Sequence, residues 1–300
     1  IFQARPELEV LEITEIGNGK GVAVAFRSHG TGGGWETFTP EQWYVAAHGP
    51  ESFFKELNMA TCEFILDAEK KYCTGDAEGP LSLTEVGCGT GEMLLPLIKE
   101  GTPFQEVVGI DINDSFIDYC KSELKTLKEK KGKAAVATNV RHVVGDVCSL
   151  SEVLNETMEG AKVGNFFEGK RVVTCVGNTI GIMPEDIGGV NVRAQCYSEM
   201  AKLAGPTGVA VIVYWNAKRF PDALKDFYGK HPELCGSLEG AEIRLPEADK
   251  EGCHAGMVTK SGYSTKWTTK KGVEKIFQAR PELEVLEITE IGNGKGVAVA

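Results

Sequence analysis

Three glycines at alternate positions, Gly87, Gly89 and Gly91, follow the apolar run Leu81 to Val86, with Glu85 just before them and Cys88 between the first two. An apolar stretch that meets such glycines and continues as Met93-Leu94-Leu95-Pro96-Leu97-Ile98 reads as a strand, a tight turn and a helix start. Bare glycine backbone lets a ligand approach closely, and the first turn of a helix offers unpaired N–H donors. A second acid, Asp111, closes the next apolar run, Val107-Val108-Gly109-Ile110, 20 residues beyond Gly91. A carboxylate there can accept hydrogen bonds from both hydroxyls of a ribose. The chemistry suggested is capture of a nucleotide-like ligand. The spacing G-x-G-x-G differs from the dinucleotide pattern G-x-G-x-x-G, which disfavours a nicotinamide-dependent oxidoreductase.

This constellation resembles motif I and the following acidic loop of class I S-adenosylmethionine-dependent methyltransferases. The resemblance implies that Glu85, Gly87, Cys88, Gly89 and Gly91 hold the methionine part of S-adenosylmethionine, that Asp111 binds its ribose, and that Ile112 lies against the adenine. Val144-Gly145-Asp146-Val147 matches the family's loop for the adenine amino group, which adds Asp146 and Val147. The run Val172 to Val176 leads into Gly177-Asn178-Thr179, where the family places residues near the transferred methyl group. Val176 and Asn178 are assigned to the cofactor and Thr179 to the acceptor. The N-P-P-Y type tetrad of DNA adenine methyltransferases and some protein methyltransferases is absent. Gly-Asn-Thr instead resembles the Gly-Asn-Ser segment of small-molecule N-methyltransferases of the glycine/sarcosine kind. Structural roles compete at several of these positions: Asp111, Asn178 and Thr179 can cap helices, and Cys88 can serve as a small filler.

Acceptor candidates are aromatic or polar-tipped. Trp43 and Tyr44 lie in an aromatic segment with Trp35 and Phe38; Tyr214, Trp215 and Asn216 end a buried strand; Tyr263 and Trp267 lie farther on. A cationic sulfonium is attracted to aromatic faces, but the same side chains also make ordinary core.

The elements that must position these groups alternate. Strands are predicted at 81–86, 106–111, 139–145, 171–176 and 208–215, and helices at 51–70, 91–100, 114–130 and 189–204. Such alternation implies a doubly wound, mostly parallel α/β sheet. A helix opened by Thr268 or Thr269, an alternating strand at 283–288 and an Asn293-Gly294 hairpin then add two strands at one edge, the last antiparallel. The resemblance implies seven strands in all, a Rossmann-like sheet with an antiparallel last strand. Residues 216–267 read as a substrate-covering insertion.

A repeat frames the chain. Residues 276–300 reproduce residues 1–25 without a change. We read 1–28 as the duplicated tail of a preceding identical unit (a helix end plus a β-hairpin), 29–34 as a glycine-rich linker and 35–300 as the methyltransferase domain. The chain then resembles a window on a head-to-tail tandem array, or an engineered mimic of one; the alternative is an ordinary N-terminal hairpin. One sheet has one place for the hairpin, so the copy that carries its complete helix is expected to take it. The other is left loose, or self-associates by exchange with a second chain.

Composition bounds the rest. The net charge of −11 and a pI near 5.1 argue against nucleic acid or an anionic membrane as the main partner. Nine scattered cysteines without a C-x-x-C point to reduced thiols and a cytoplasmic setting, and five histidines without ligand spacing give no metal site. The expected function is S-adenosylmethionine-dependent methyl transfer to a small-molecule acceptor by in-line displacement, with nitrogen favoured over sulfur and oxygen. No residue is singled out as a catalytic base. The alternatives are a methyltransferase acting on protein or RNA, and a module that binds the cofactor without turnover.

Overall fold

The computed structural model describes residues 8–16, 21–28, 39–49, 51–73, 79–91, 93–98, 102–131, 139–158, 169–187, 190–246 and 254–300. The expected linker at 29–34, Trp35, Phe38 and Glu92 lie outside them.

In chain order the elements are β1 (Leu8–Ile16), β2 (Gly21–Ser28), α1 (Pro40–His48), α2 (Lys55–Tyr72), β3 (Ser82–Val86), α3 (Leu94–Leu97), β4 (Glu106–Asp111), α4 (Asp114–Lys131), β5 (Asn139–Val144), α5 (Leu150–Met158), β6 (Arg171–Cys175), α6 (Thr179–Ile182), β7 (Asp186–Ile187), β8 (Val190–Asn191), α7 (Val192–Ala204) and β9 (Val209–Trp215). The insertion contributes α8 (Phe220–Ala223), α9 (Pro232–Cys235), β10 (Glu242–Arg244), β11 (His254–Val258) and β12 (Ser264–Thr268). The chain closes with α10 (Lys270–Gln278), β13 (Ile288–Ile291) and β14 (Gly296–Val299).

Seven strands form one sheet in the order β13-β14-β9-β6-β3-β4-β5. The five from β9 to β5 run parallel, while β14 is antiparallel to both β9 and β13. The last strand is thus antiparallel, as expected, but it inserts between β9 and β13 and leaves β13 at the edge. Strand order reverses between β3 and β6, which opens a crevice at their carboxyl ends, where ligands of open α/β sheets bind. Alternation drives the layers: Val209, Val211, Val213 and Trp215 of β9 face the core under α2 and the insertion, and Ile212 and Tyr214 face the core under α7 and α10. Every residue of β3 and β6 is buried, as strands covered on both faces require.

Local signals explain most boundaries. Thr39 caps α1 with a capping box to Gln42, and Thr269 caps α10 by accepting the Gly272 N–H. The single helix expected at 51–70 is Lys55–Tyr72, preceded by a separate α1. The helix expected from 189 begins at Val192, because the Asn191 side chain caps it by accepting the Ala194 N–H. The strand expected at 283–288 is corrected to Ile288–Ile291: before it, Leu286 and Glu287 donate to the Ala300 carbonyl and close the ladder.

The two copies of the repeat fold alike and sit differently. Ile13 pairs with Val24 in the first copy and Ile288 with Val299 in the second, so the register is the same. The first copy is a two-stranded sheet of its own, whereas the second lies in the seven-stranded sheet. Phe26, Arg27 and Ser28 lengthen the second strand of the first copy, and its first strand runs the full Leu8–Ile16.

Candidate functional site

The glycine turn uses the freedom that glycine alone has. Gly87, Gly89 and Gly91 all have positive φ (67°, 53° and 84°). At Gly87 a Cβ would lie 2.3 Å from Thr179 Cγ2, and at Gly91 it would lie 2.3 Å from Cys120 Sγ. The turn is anchored by the Cys88 N–H on the Ile110 carbonyl (2.9 Å), and the Gly91 N–H returns to the Cys88 carbonyl (2.9 Å).

Asp111 joins this turn to the next strand. Its Oδ2 accepts the Gly89 N–H and its Oδ1 accepts the Asn113 N–H, both at 2.9 Å. A carboxylate has about four acceptor sites, so it can take a further donor. Burial pushes the Asp111 carboxyl above its ordinary value, and hydrogen bonds from the Asn113, Gly89 and Ile112 N–H groups oppose that. Ile112, the next residue, stands 73% exposed, a large apolar side chain at the mouth of the crevice. Asp146 is exposed after β5 and caps the following turn by accepting the Cys148 N–H at 2.8 Å, while Val147 is buried.

The carboxyl end of β6 leads into Asn178 and Thr179. Asn178 has φ 62°, uncommon for a residue with a side chain, and is completely buried. Its Oδ1 accepts the Trp215 N–H (3.2 Å), and its Nδ2 donates to Thr265 Oγ1 (3.3 Å) and the Lys266 carbonyl (3.4 Å). One amide therefore ties α6 to β9 and to the insertion strand β12. The packing is tight enough that a Cβ on Gly181 would lie 2.3 Å from the Lys266 carbonyl. Thr179 rests over the glycine turn, with its hydroxyl on the Val176 carbonyl at 2.8 Å and 3.5 Å from that of Gly87.

The aromatic candidates divide. Trp215 stacks on Phe54 (4.0 Å, 15°) and meets Trp267 at 4.9 Å; Trp267 Nε1 donates to the Tyr228 hydroxyl, which lies 3.4 Å from that of Tyr263. Trp43 meets Phe227 edge-on. These four candidates are buried in one core between sheet and insertion. Tyr214 is in the opposite core, its hydroxyl 2.7 Å from that of Tyr197. Tyr44 is half-buried, 6.0 Å from Tyr119 on α4. Asn216, the residue after β9, is fully buried: its Oδ1 accepts the Lys218 N–H and its amide nitrogen has no hydrogen-bond partner.

The residues present suit an adenosyl-methionine ligand. A glycine cradle that a side chain would fill lies beside Glu85, which is buried in β3. The buried Thr90 hydroxyl within the turn has no hydrogen-bond partner, and sequence reasoning had not singled it out. Asp111 and the exposed Ile112 follow at the next strand. Cys120 gives no signal in the sequence, and His142 reads there only as a residue packed along its strand; their sulfur and ring nitrogen meet at 2.9 Å beneath the turn. No local pattern signals a contact between a helix and a neighbouring strand.

Residues 84–160 match the model of a family described as a methyltransferase domain. No curated protein sequence matches the chain. Similar solved structures include a SAM-dependent methyltransferase from Aquifex aeolicus, 13% identical, covering 87% of this chain and 97% of that one with a TM-score of 0.46. The plantazolicin methyltransferase BpumL with SAH and a triazolic desmethylPZN analog is 14% identical over 85% of this chain and 74% of its own, with a TM-score of 0.42. The small RNA methyltransferase HEN1 is 13% identical over 74% of this chain and 26% of its own, with a TM-score of 0.40. Residues 84–160 therefore belong to a methyltransferase domain. Its methyl acceptor is a separate question. Among the described residues, no helix is long and apolar enough to cross a membrane.

Proposed function

We propose that this domain methylates a small molecule, at nitrogen in preference to sulfur or oxygen. Glu85 and the glycine turn would hold the methionine part of the cofactor, Asp111 its ribose, and Ile112, Asp146 and Val147 its adenine. When bound, S-adenosylmethionine supplies a methyl group already activated by its sulfonium, ready for in-line transfer to a lone pair. The work left to the protein is to hold an acceptor in line at near-contact distance and to keep water out.

The observation that carries the small acceptor is the Asn178 lock. Asn178 binds Trp215, Thr265 and Lys266 at once, so the insertion is fastened directly onto the carboxyl end of β6 beside the glycine turn. A cleft covered in this way suits a compact acceptor. Asn216 supports the same reading: a buried amide N–H with no hydrogen-bond partner at the end of β9 is a ready donor to an acceptor's carboxylate or carbonyl. With Thr179 over the turn, these support a polar amine as the acceptor, between β6 and β9. The acidic net charge of −11 suits a polyanion poorly.

The test is a methyl-transfer screen with labelled S-adenosylmethionine against amino acids, amines and thiols, with total RNA and a protein extract in parallel. Label on an amine, lost in Asn216→Leu with cofactor affinity retained, is the expected result. Label on RNA or protein alone would overturn it.

A further inference from the structure

Two thiols and an imidazole meet directly under the glycine turn. Cys88 lies in the turn, Cys120 in the second turn of α4, and His142 on the edge strand β5. Cys120 Sγ is 2.9 Å from His142 Nε2, and Cys88 is the largest electrostatic influence on the Cys120 thiol. Two glycines make room for the pair. A Cβ on Gly91 would lie 2.3 Å from Cys120 Sγ, and one on Gly109 would lie 3.0 Å from Cys88 Sγ and 3.3 Å from His142 Cδ2. Hydrogen bonds from Cys88 and His142 hold the Cys120 thiol below its ordinary value, and Cys88 is pushed above its own, first by that hydrogen bond and then by burial. This division gives one nucleophilic sulfur and one neutral thiol beside it.

Both sulfurs are buried, and His142 stands between Cys120 and a groove. An open groove of about 630 Å³ runs between α4 and β5, lined by Lys121, Leu124, Lys125, Lys128, Val140 and His142 among others. His142 therefore faces a groove wide enough for a small oxidant while its ring touches Cys120.

We propose that Cys88 and Cys120 form a redox-modifiable dithiol that peroxide converts to a disulfide, and that closing this bond disables the cofactor turn. In the first step the Cys120 thiolate attacks one peroxide oxygen. The O–O bond breaks, hydroxide leaves and takes up a proton as water, and Cys120 becomes a sulfenic acid. In the second step Cys88 loses its proton and its sulfur attacks Cys120. The S–O bond breaks and the oxygen leaves as a second water. Two thiols and one hydrogen peroxide give one disulfide and two waters. A disulfide draws the sulfurs to about 2.05 Å. Cys120 Sγ packs where a Gly91 side chain would be, and the Cys88 N–H is bound to the Ile110 carbonyl, so a shift of either sulfur is transmitted to the turn.

This inference rests on the cofactor reading of the turn, and its test separates the two. The reduced protein would be treated with stoichiometric hydrogen peroxide, mapped by peptide mass spectrometry, and titrated with S-adenosylhomocysteine before and after, then again after dithiothreitol. The expected result is a Cys88–Cys120 linked peptide two hydrogens lighter and an affinity at least tenfold weaker, restored by reductant. Cys120→Ser is expected to keep its affinity through the same treatment, and His142→Gln to form the link more slowly. If peroxide oxidised other cysteines and left this pair unlinked, or linked it without changing affinity, the proposal would be wrong. If the reduced protein failed to bind S-adenosylhomocysteine at all, the cofactor reading would fall and this inference with it, whatever the mass map showed.

Discussion

Asp111 Oδ2 accepts the N–H of Gly89 at 2.9 Å, so the acid at the end of β4 fixes the turn at the end of β3. On the proposed reading the two halves of the cofactor site are thereby joined within the protein itself, and a ribose would meet a carboxylate already oriented. Removing it would delete this brace together with the proposed ribose contacts. Hydrogen bonds to charged groups contribute about 1.5–3 kcal/mol each, so Asp111→Ala is expected to weaken S-adenosylhomocysteine binding by roughly tenfold to a hundredfold. Unchanged affinity by calorimetry would remove Asp111 from the ribose role.

The same carboxyl sets a pH dependence. Burial raises its pKa in the folded protein. The folded state then holds this proton more tightly than the unfolded chain, so protonation favours folding as pH falls, while ribose recognition needs the ionised form. Affinity should therefore decline on acidification with a midpoint above the ordinary Asp value of about 3.9. Asp111→Asn should bind more weakly and without that component; matching pH profiles for the two proteins would exclude it.

Gly87 tests the contact between the two strands of the crevice. An alanine there meets Thr179 Cγ2 at 2.3 Å and Oγ1 at 2.9 Å, on backbone with φ 67°. Gly87→Ala is expected to cost about 1–3 kcal/mol in urea unfolding from strain and overpacking. Adding Thr179→Ala should recover the overpacking part and leave the backbone part. An equal loss with or without Thr179→Ala would show that the contact is not the cause.

Where sequence reasoning worked and where it stopped follows from the range of each signal. The strands ending at Val86, Asp111 and Trp215 were legible because apolar runs bounded by glycine or acid specify covered strands locally. The turn was legible because three alternate glycines have few other uses. Trp215 and Trp267 were ambiguous because a large aromatic side chain gives one signal for a lid and for a core, and here they pack against each other, tilted, in the core. The Asn178 lock reaches Thr265, and Cys120 reaches His142, across distances in sequence that no periodicity spans.

His48 gives a second pH effect, on stability alone. It packs on α1 with Nδ1 accepting the Asn58 amide at 2.9 Å, and burial lowers its pKa to about 3. The folded value lies below the unfolded value of about 6.5. The neutral ring therefore contributes stability in full above about pH 6.5, and that contribution declines toward about pH 3, by at most about 1.4 kcal/mol per pH unit. Denaturant unfolding of His48→Gln should show a shallower loss between these limits than the parent. Parallel curves would mean that His48 titrates freely in the folded protein.

The repeated hairpin makes the last prediction. Both copies adopt one register, but the C-terminal copy pairs with β9, and it is fastened further by Lys295 to the Phe53 carbonyl (2.8 Å), by Asn293 to Glu56 (3.0 Å) and by Glu287 to the Tyr72 hydroxyl (2.9 Å). Gly292 lies so close to α2 that a Cβ would be 2.6 Å from Leu57 Cα. The first copy pairs only with itself among the described strands. Deleting residues 1–28 is therefore expected to leave S-adenosylhomocysteine affinity within about twofold and the unfolding midpoint nearly unchanged, because isolated two-stranded hairpins contribute little stability. Asn293→Ala with Lys295→Ala should loosen the resident copy and let the spare one compete for its place beside β9. In the full chain that would appear as dimers in sedimentation, through exchange between chains, and in the deleted chain as lower stability without dimers. Loss of cofactor binding on deleting residues 1–28 would mean instead that the first copy belongs to the working domain.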